Sequence, residues 1–182
     1  MFRAVLADVL TGGRVLLGVA IVGALITDRV TLFSILLSLA WASDVFDGRL
    51  ARASGRRTVF GETDMVIDTF VGACVLIGLA LSGRAPGWPV AVGILVLGGV
   101  YLKTRNPAIS QVLQGIAYGS ALWLIFTSPD ATLLIPLGTL AVLMLLEYRK
   151  FFDKVLPMFF RGIASFVKGD PYEGPPADVQ RR

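Results

Sequence analysis

Six stretches of the sequence carry no charged residue, and this feature constrains the fold more than any other. They are Val15–Thr27, Val30–Ser43, Thr69–Gly83, Ala85–Leu102, Asn106–Pro129 and Ala131–Leu146. A helix needs about 20 residues to cross the hydrocarbon core of a bilayer. Only 16% of the residues are charged and 55% are hydrophobic, so the chain has fewer charges than an ordinary soluble domain. The sequence therefore predicts an all-α, polytopic membrane protein with six transmembrane helices.

The second and third stretches are too short to span a membrane, so their helices must extend into charged sequence. The second helix must continue past Asp44 and Asp47, and the third must begin near Asp64. The first must likewise start near Asp8 and carry Arg14 inside it. Ionisable groups at that depth are costly and usually mark a site or a pathway. For Arg14 we nevertheless expect a structural role, in which its side chain reaches the interface or pairs with Asp8.

The basic residues predict the orientation of the chain in the membrane. With the N-terminus in the cytoplasm, 14 of the 17 Lys and Arg residues fall in cytoplasmic segments, and only Arg29 and Arg84 fall on the other side. This asymmetry is typical of membrane proteins, whose cytoplasmic loops are enriched in Lys and Arg. We therefore expect a multi-pass protein of the cell (inner) membrane with its acidic cluster on the cytoplasmic side.

The chain changes character after the last apolar stretch. Residues 1–150 form the predicted transmembrane domain. Residues 151–168 combine paired phenylalanines with basic residues, which predicts an interfacial amphipathic helix on the cytoplasmic membrane surface, kinked at Pro157. The tail, residues 169–182, is rich in proline and charge and is expected to be disordered.

Four aspartates flank the predicted loop between the second and third helices. Asp44 and Asp47 are three residues apart, and Asp64 and Asp68 are four apart, so each pair lies on one face of its helix. Four carboxylates facing one another across a helical hairpin repel each other unless cations neutralise them. The chain has no histidine and a single cysteine, and ligation by oxygen alone selects Mg²⁺, Mn²⁺ or Ca²⁺. Two such ions at a membrane boundary would suit the binding and activation of a diphosphate.

The residues around these aspartates form a longer motif. It reads Asp44-x-x-Asp47-Gly48-x-x-Ala51-Arg52, eight further residues, Gly61, and then Asp64-x-x-x-Asp68. This motif resembles the signature of the CDP-alcohol phosphotransferase family. Near the start of the chain, Leu10-Thr11-Gly12-Gly13-Arg14 is similar to the Leu-Thr-x-x-Arg pattern that opens many bacterial members. One spacing differs, because two residues separate Gly61 from Asp64 where the family has three.

The resemblance implies a membrane enzyme that transfers a phosphatidyl group from CDP-diacylglycerol to a small polar alcohol and releases CMP. Glycerol 3-phosphate is the first expectation for the acceptor and inositol phosphate the second. The implied ligands of two Mg²⁺ or Mn²⁺ ions are Asp44, Asp47, Asp64 and Asp68. Asp68 is also the implied catalytic base. The residues implied to bind the nucleotide diphosphate are Gly48, Ala51, Arg52 and Gly61. A homodimer is implied as well.

The acceptor site is less clearly indicated, and two other interpretations stay open. The cations available for a phosphorylated acceptor are Lys103, Arg105, Arg56 and Arg57. A cation transporter or channel would also use carboxylates inside the membrane, but its site would lie near the midplane and not at one edge beside a basic loop. The shortened spacing before Asp64 leaves room for a non-catalytic family member. No nucleic-acid partner is expected.

Overall fold

The computed structural model describes residues 2–54, 64–128, 134–170 and 172, and every regular element in these ranges is helical. The α-helices are α1 (Phe2–Ile26), α2 (Val30–Ser54), α3 (Asp64–Leu81), α4 (Gly87–Thr104), α5 (Pro107–Thr127), α6 (Leu134–Lys150) and α7 (Leu156–Lys168). A π-helical segment, Phe151–Val155, joins α6 to α7. The predicted all-α fold is confirmed within the described ranges.

Five of these helices are long and apolar enough to cross a membrane. The spans are Val5–Ile26, Val30–Leu50, Asp64–Leu81, Gly87–Thr104 and Pro107–Thr127. The extensions into charged sequence are confirmed, because α1 contains Arg14, α2 continues past Asp47 and α3 begins at Asp64. The sixth predicted span corresponds to α6, which is described over 17 residues, and its crossing of the membrane stays a prediction.

Helix α1 occupies the centre of the first three helices. It packs against both α2 and α3 much more extensively than those two pack against each other. Ile21 and Leu25 of α1 are buried against Phe33 of α2 in the apolar core. The approach to α3 is close, since a Cβ atom on Gly78 would lie 2.6 Å from Leu25 Cδ1. The glycine therefore lets α1 and α3 pack with little side-chain volume between them.

Side-chain contacts bring parts of five helices to the four aspartates. The middle of α1, the second half of α2 and the start of α3 meet there through Arg14 and its partners. The start of α5 joins them, because Ser110 Oγ lies 2.6 Å from Thr69 Oγ1. The end of α6 joins through an Arg49–Glu147 ion pair of 2.8 Å. We call this region the aspartate end. At the opposite end, Asp28 pairs with Arg84.

The chain departs from regular α-helix between α6 and α7. Glu147 has φ −121° and ψ 16°, and the Arg49 guanidinium donates to the carbonyl of Leu146 at 2.9 Å beside this break. The kink expected at Pro157 takes another form. The segment before Pro157 is π-helical, and Pro157 itself lies in the first turn of α7. A proline is tolerated there because its missing N–H would have no partner within the helix.

Helix α7 is fixed to the start of α5 by Asn106. The Asn106 side chain caps α5, with Oδ1 accepting from the Ala108 N–H at 3.0 Å, while Nδ2 donates to the Gly162 carbonyl at 2.8 Å. A Cβ on Gly162 would lie 2.6 Å from Ala108 Cβ. The two helices therefore approach closely at this glycine, and α7 is held at the aspartate end.

Candidate functional site

The guanidinium of Arg14 lies at the centre of the four aspartates. Its Nη1 atom donates to Asp44 Oδ1 at 2.8 Å and also contacts Asp68. Its Nη2 atom donates to Asp47 Oδ2 at 2.8 Å and also contacts Asp64. The Arg14 side chain is 1% exposed. A single buried cation from α1 therefore contacts all four carboxylates at once.

The four carboxylates come together by a route that differs from the expected hairpin. Asp44 and Asp47 lie on one face of α2, and Asp64 and Asp68 lie on one face of α3, as their spacing of three and four residues requires. These two helices have few direct contacts, and α1 packs against both. The carboxylates thus converge on a side chain of α1 and do not meet across a directly packed pair of helices.

The cluster has a buried side and an open side. Asp47 is 3% exposed, and its Oδ2 atom lies 2.7 Å from the hydroxyl of Thr11. Asp44 and Asp64 are 40% and 41% exposed, and Asp68 is 24% exposed. Asp47 is therefore buried and held by hydrogen bonds from α1, while the carboxylates of Asp44, Asp64 and Asp68 are accessible to a ligand.

Three of the carboxylates form a group of the size that a metal ion requires. Asp44, Asp64 and Asp68 each offer one oxygen, and these oxygens all lie within 4.8 Å of one another. When ionised, the four aspartates carry four negative charges, of which Arg14 compensates one. Carboxylate oxygens are the ligands that Mg²⁺ and Mn²⁺ prefer. The donor set and the uncompensated charge fit a divalent cation at this position.

A hollow of about 60 Å³ adjoins Arg14 and the aspartates. Its lining residues are Arg14, Ala40, Trp41, Asp44, Asp68, Val71, Gln114 and Tyr118. The rings of Trp41 and Tyr118 pack edge to face with centroids 5.4 Å apart. The Gln114 amide donates to Ser110 Oγ at 3.0 Å, which fixes its position on α5. The hollow therefore combines an aromatic wall with polar groups next to the carboxylate of Asp68.

The structure describes only some of the other residues singled out by sequence. Gly48 is half-buried and directly follows Asp47 on α2. Lys103 lies in the last turn of α4 and Arg105 directly after it, and both are exposed. The side chains of Ala51 and Arg52 lie outside the described part of the structure, as do Arg56, Arg57 and Gly61.

Arg14 and Thr11 occupy places in the site that the sequence did not predict. We expected Arg14 to reach the interface or pair with Asp8, whereas its guanidinium contacts the four aspartates. A usable signal was present, because a buried arginine needs a negative partner and the acidic cluster contains the largest concentration of negative charge in the spans. Thr11 lies three residues before Arg14, which places both on the same face of α1.

Comparison with known proteins agrees with this geometry. The family model for CDP-alcohol phosphatidyltransferase matches residues 4–157, which include all four aspartates and Arg14. No solved structure matches the chain. Enzymes of that family are typically dependent on divalent metal ions, in agreement with the group formed by Asp44, Asp64 and Asp68. The chain therefore belongs to the CDP-alcohol phosphatidyltransferase family, and is a multi-pass membrane enzyme of phospholipid biosynthesis that transfers a substituted phosphate group from a CDP-alcohol.

Proposed function

We propose that this enzyme transfers the phosphatidyl group of CDP-diacylglycerol to glycerol 3-phosphate and releases CMP. Inositol phosphate is the second candidate for the acceptor. The observation that carries the proposal is the group of carboxylate oxygens from Asp44, Asp64 and Asp68, which lie within 4.8 Å of one another on the accessible side of the cluster. Such a group binds the divalent cations that a diphosphate substrate requires.

The proposed reaction assigns a distinct task to each side of the cluster. Asp68 accepts the proton of the acceptor hydroxyl, whose oxygen forms a bond to the phosphorus that carries diacylglycerol. The bond from that phosphorus to the bridging oxygen breaks, and CMP leaves with the oxygen. Asp44, Asp64 and Asp68, with Asp47 as the fourth proposed ligand, would hold two Mg²⁺ or Mn²⁺ ions, which would polarise the phosphoryl group and neutralise developing charge. Asp47, fixed by Thr11 and Arg14, keeps α2 in register with α1.

Gly48, Ala51, Arg52 and Gly61 are proposed to bind the nucleotide diphosphate. Gly48 supports this role by its position, because it follows Asp47 on α2 and has no side chain to obstruct a ligand. For the acceptor phosphate we propose Lys103 and Arg105, together with Arg56 and Arg57. Lys103 and Arg105 are exposed where α4 ends and α5 begins, on the same side of the bundle as Thr69 and Asp68.

The proposed membrane arrangement has six spans, with the N-terminus and the aspartate end in the cytoplasm of the cell (inner) membrane. The excess of basic residues at that end supports this orientation. Helix α7 is proposed to lie on the cytoplasmic membrane surface. Phe160, Phe166 and Val167 are exposed on α7 beside basic residues, a combination that suits an interfacial helix. A cation-transport role is less well supported, since Asp64 and Asp68 lie in the first two turns of α3, at one end of its span and not midway along it.

The acceptor is tested by following CMP release from CDP-diacylglycerol in the presence of Mg²⁺. The panel pairs each phosphorylated acceptor with its unphosphorylated form, namely glycerol 3-phosphate with glycerol and inositol phosphate with inositol. We expect release to require an acceptor and to be fastest with glycerol 3-phosphate. Glycerol is expected to be at least about tenfold slower, because a cation that binds the phosphate would then have no partner.

Two outcomes would count against the proposal. If inositol phosphate or an unphosphorylated alcohol is preferred, the assignment to glycerol 3-phosphate is wrong while phosphatidyl transfer stands. If no acceptor supports CMP release, and vesicles containing the protein show an ion flux that is lost in the Asp44→Asn variant, the transport interpretation replaces the enzymatic one.

A further inference from the structure

We infer that Arg14 is an internal counter-cation that holds the four aspartates together before divalent ions bind and that weakens the binding of those ions. The inference rests on the proposed metal site. It concerns a residue of α1, whereas the proposed ligands belong to α2 and α3. Arg14 is thereby a positioning residue, since it acts through the aspartates and not on the substrate.

The pattern of contacts shows how Arg14 joins the two helices. Nη1 contacts Asp44 of α2 and Asp68 of α3, and Nη2 contacts Asp47 of α2 and Asp64 of α3. Each terminal nitrogen therefore bridges one carboxylate from each helix. Because α2 and α3 have few contacts of their own, this guanidinium connects them through two carboxylates of each helix.

Burial indicates that the charge of Arg14 is needed where it lies. The side chain is 1% exposed, and its Nε atom is buried without a hydrogen-bond partner in the described structure. Removing a guanidinium from water and leaving one donor unpaired is unfavourable. The four aspartates offset that cost. Without Arg14, four carboxylates would face each other with no cation from the described residues between them, and the folded state would depend on added ions.

The position of Arg14 has a second consequence for divalent ions. The guanidinium contacts the carboxylates of Asp44, Asp64 and Asp68, which are the same three that form the candidate metal group. An ion bound there lies within several ångströms of a positive charge. The positive charges of the ion and of the guanidinium repel each other at such distances. This repulsion raises the dissociation constant of the ion severalfold to many-fold. Replacing Arg14 by a neutral residue is therefore expected to tighten ion binding.

The test measures Mn²⁺ binding to the full-length protein in detergent, without substrate, by the electron paramagnetic resonance signal of free Mn²⁺. In Arg14→Gln we expect the dissociation constant to fall by about tenfold or more. Arg14→Lys keeps the charge and is expected to bind Mn²⁺ as the unsubstituted protein does. The matched control is Arg84→Gln, which removes an arginine between α3 and α4 that pairs with Asp28, between α1 and α2, away from the site, and no change is expected.

Thermal unfolding of the same proteins provides the second readout. In EDTA, Arg14→Gln is expected to unfold at a lower temperature than the unsubstituted protein, and Mn²⁺ is expected to restore more stability to this variant than to any other. If the variant folds only with Mn²⁺ present, that ion dependence is itself the expected result, and binding is then measured by back-titration with EDTA.

Three results would overturn the inference. Mn²⁺ binding that is unchanged or weaker in Arg14→Gln would show that Arg14 does not oppose the ions. Tightening of equal size in Arg14→Lys would show that the charge is not the cause. If the unsubstituted protein binds no Mn²⁺, the proposed metal site fails and this inference fails with it, which distinguishes that case from the other two.

Discussion

Replacing Asp68 by Asn is expected to lower the rate of CMP release by at least about a thousandfold. A positioned general base contributes about a hundredfold to ten-thousandfold to a rate. Asparagine cannot accept the proton of the acceptor hydroxyl, and it also removes one of the three carboxylates that form the metal group. The two losses act on the same step. The rate is measured with CDP-diacylglycerol, Mg²⁺ and a saturating concentration of glycerol 3-phosphate.

The matched control for this variant is Asp28→Asn. Asp28 also forms an ion pair with an arginine, but at the opposite end of the bundle, where it pairs with Arg84. We expect the control to keep the rate of the unsubstituted enzyme. Both proteins should show the same helical circular dichroism spectrum, because Arg14 still has three carboxylate partners in Asp68→Asn. Undiminished CMP release in a folded Asp68→Asn protein would remove Asp68 from the role of base.

The second large effect is expected when divalent ions are removed. Treatment with EDTA should reduce CMP release to less than about 1% of its initial rate, because the diphosphate then has no Lewis acid to stabilise its developing charge. Addition of Mg²⁺ or Mn²⁺ in excess over the chelator should restore it. Among the described residues, Arg14 is the cation that contacts all four aspartates, and its single charge cannot compensate four carboxylates.

The control for ion removal is the stability of the protein in EDTA. The unsubstituted enzyme should stay folded, since Arg14 continues to bridge the four carboxylates when ions are absent. Loss of activity in a protein that stays folded therefore indicates a direct role in the reaction. Activity that persists in EDTA, with metal content verified by elemental analysis, would contradict the divalent-ion dependence that the family and the aspartate group indicate.

The sequence was sufficient to predict where the charged residues enter the spans. A membrane-spanning helix requires a minimum length, so two short apolar stretches had to extend across Asp44, Asp47 and Asp64, and the helices do extend there. Length and apolar composition act locally along the chain, which explains why they are visible in sequence. The shortened spacing between Gly61 and Asp64 precedes α3, whose first described residue is Asp64. Asp64 and Asp68 keep their spacing on that helix.

The minimum length of a spanning helix does not predict which groups each charged residue contacts. The spacing of the aspartates shows that each pair shares a helix face, but it does not show which third helix packs between them. Arg14 was assigned by its neighbours in sequence, whereas its actual partners are 30 to 54 residues away. Tyr118 of α5 lines the hollow because α5 packs against α3, a contact between helices that are distant in sequence. Such contacts depend on tertiary packing and carry no periodic signal.

The central claim is that carboxylates from α2 and α3 bind divalent cations together at one end of the helices. It is tested most directly by counting the Mn²⁺ ions bound to the purified protein and recording their electron paramagnetic resonance spectrum. We expect two ions per chain with a spectrum of magnetically coupled Mn²⁺, and no such spectrum when Asp64 and Asp68 are both replaced by Asn. The claim would be contradicted if the unsubstituted protein bound no Mn²⁺, or if the doubly substituted protein bound it equally well.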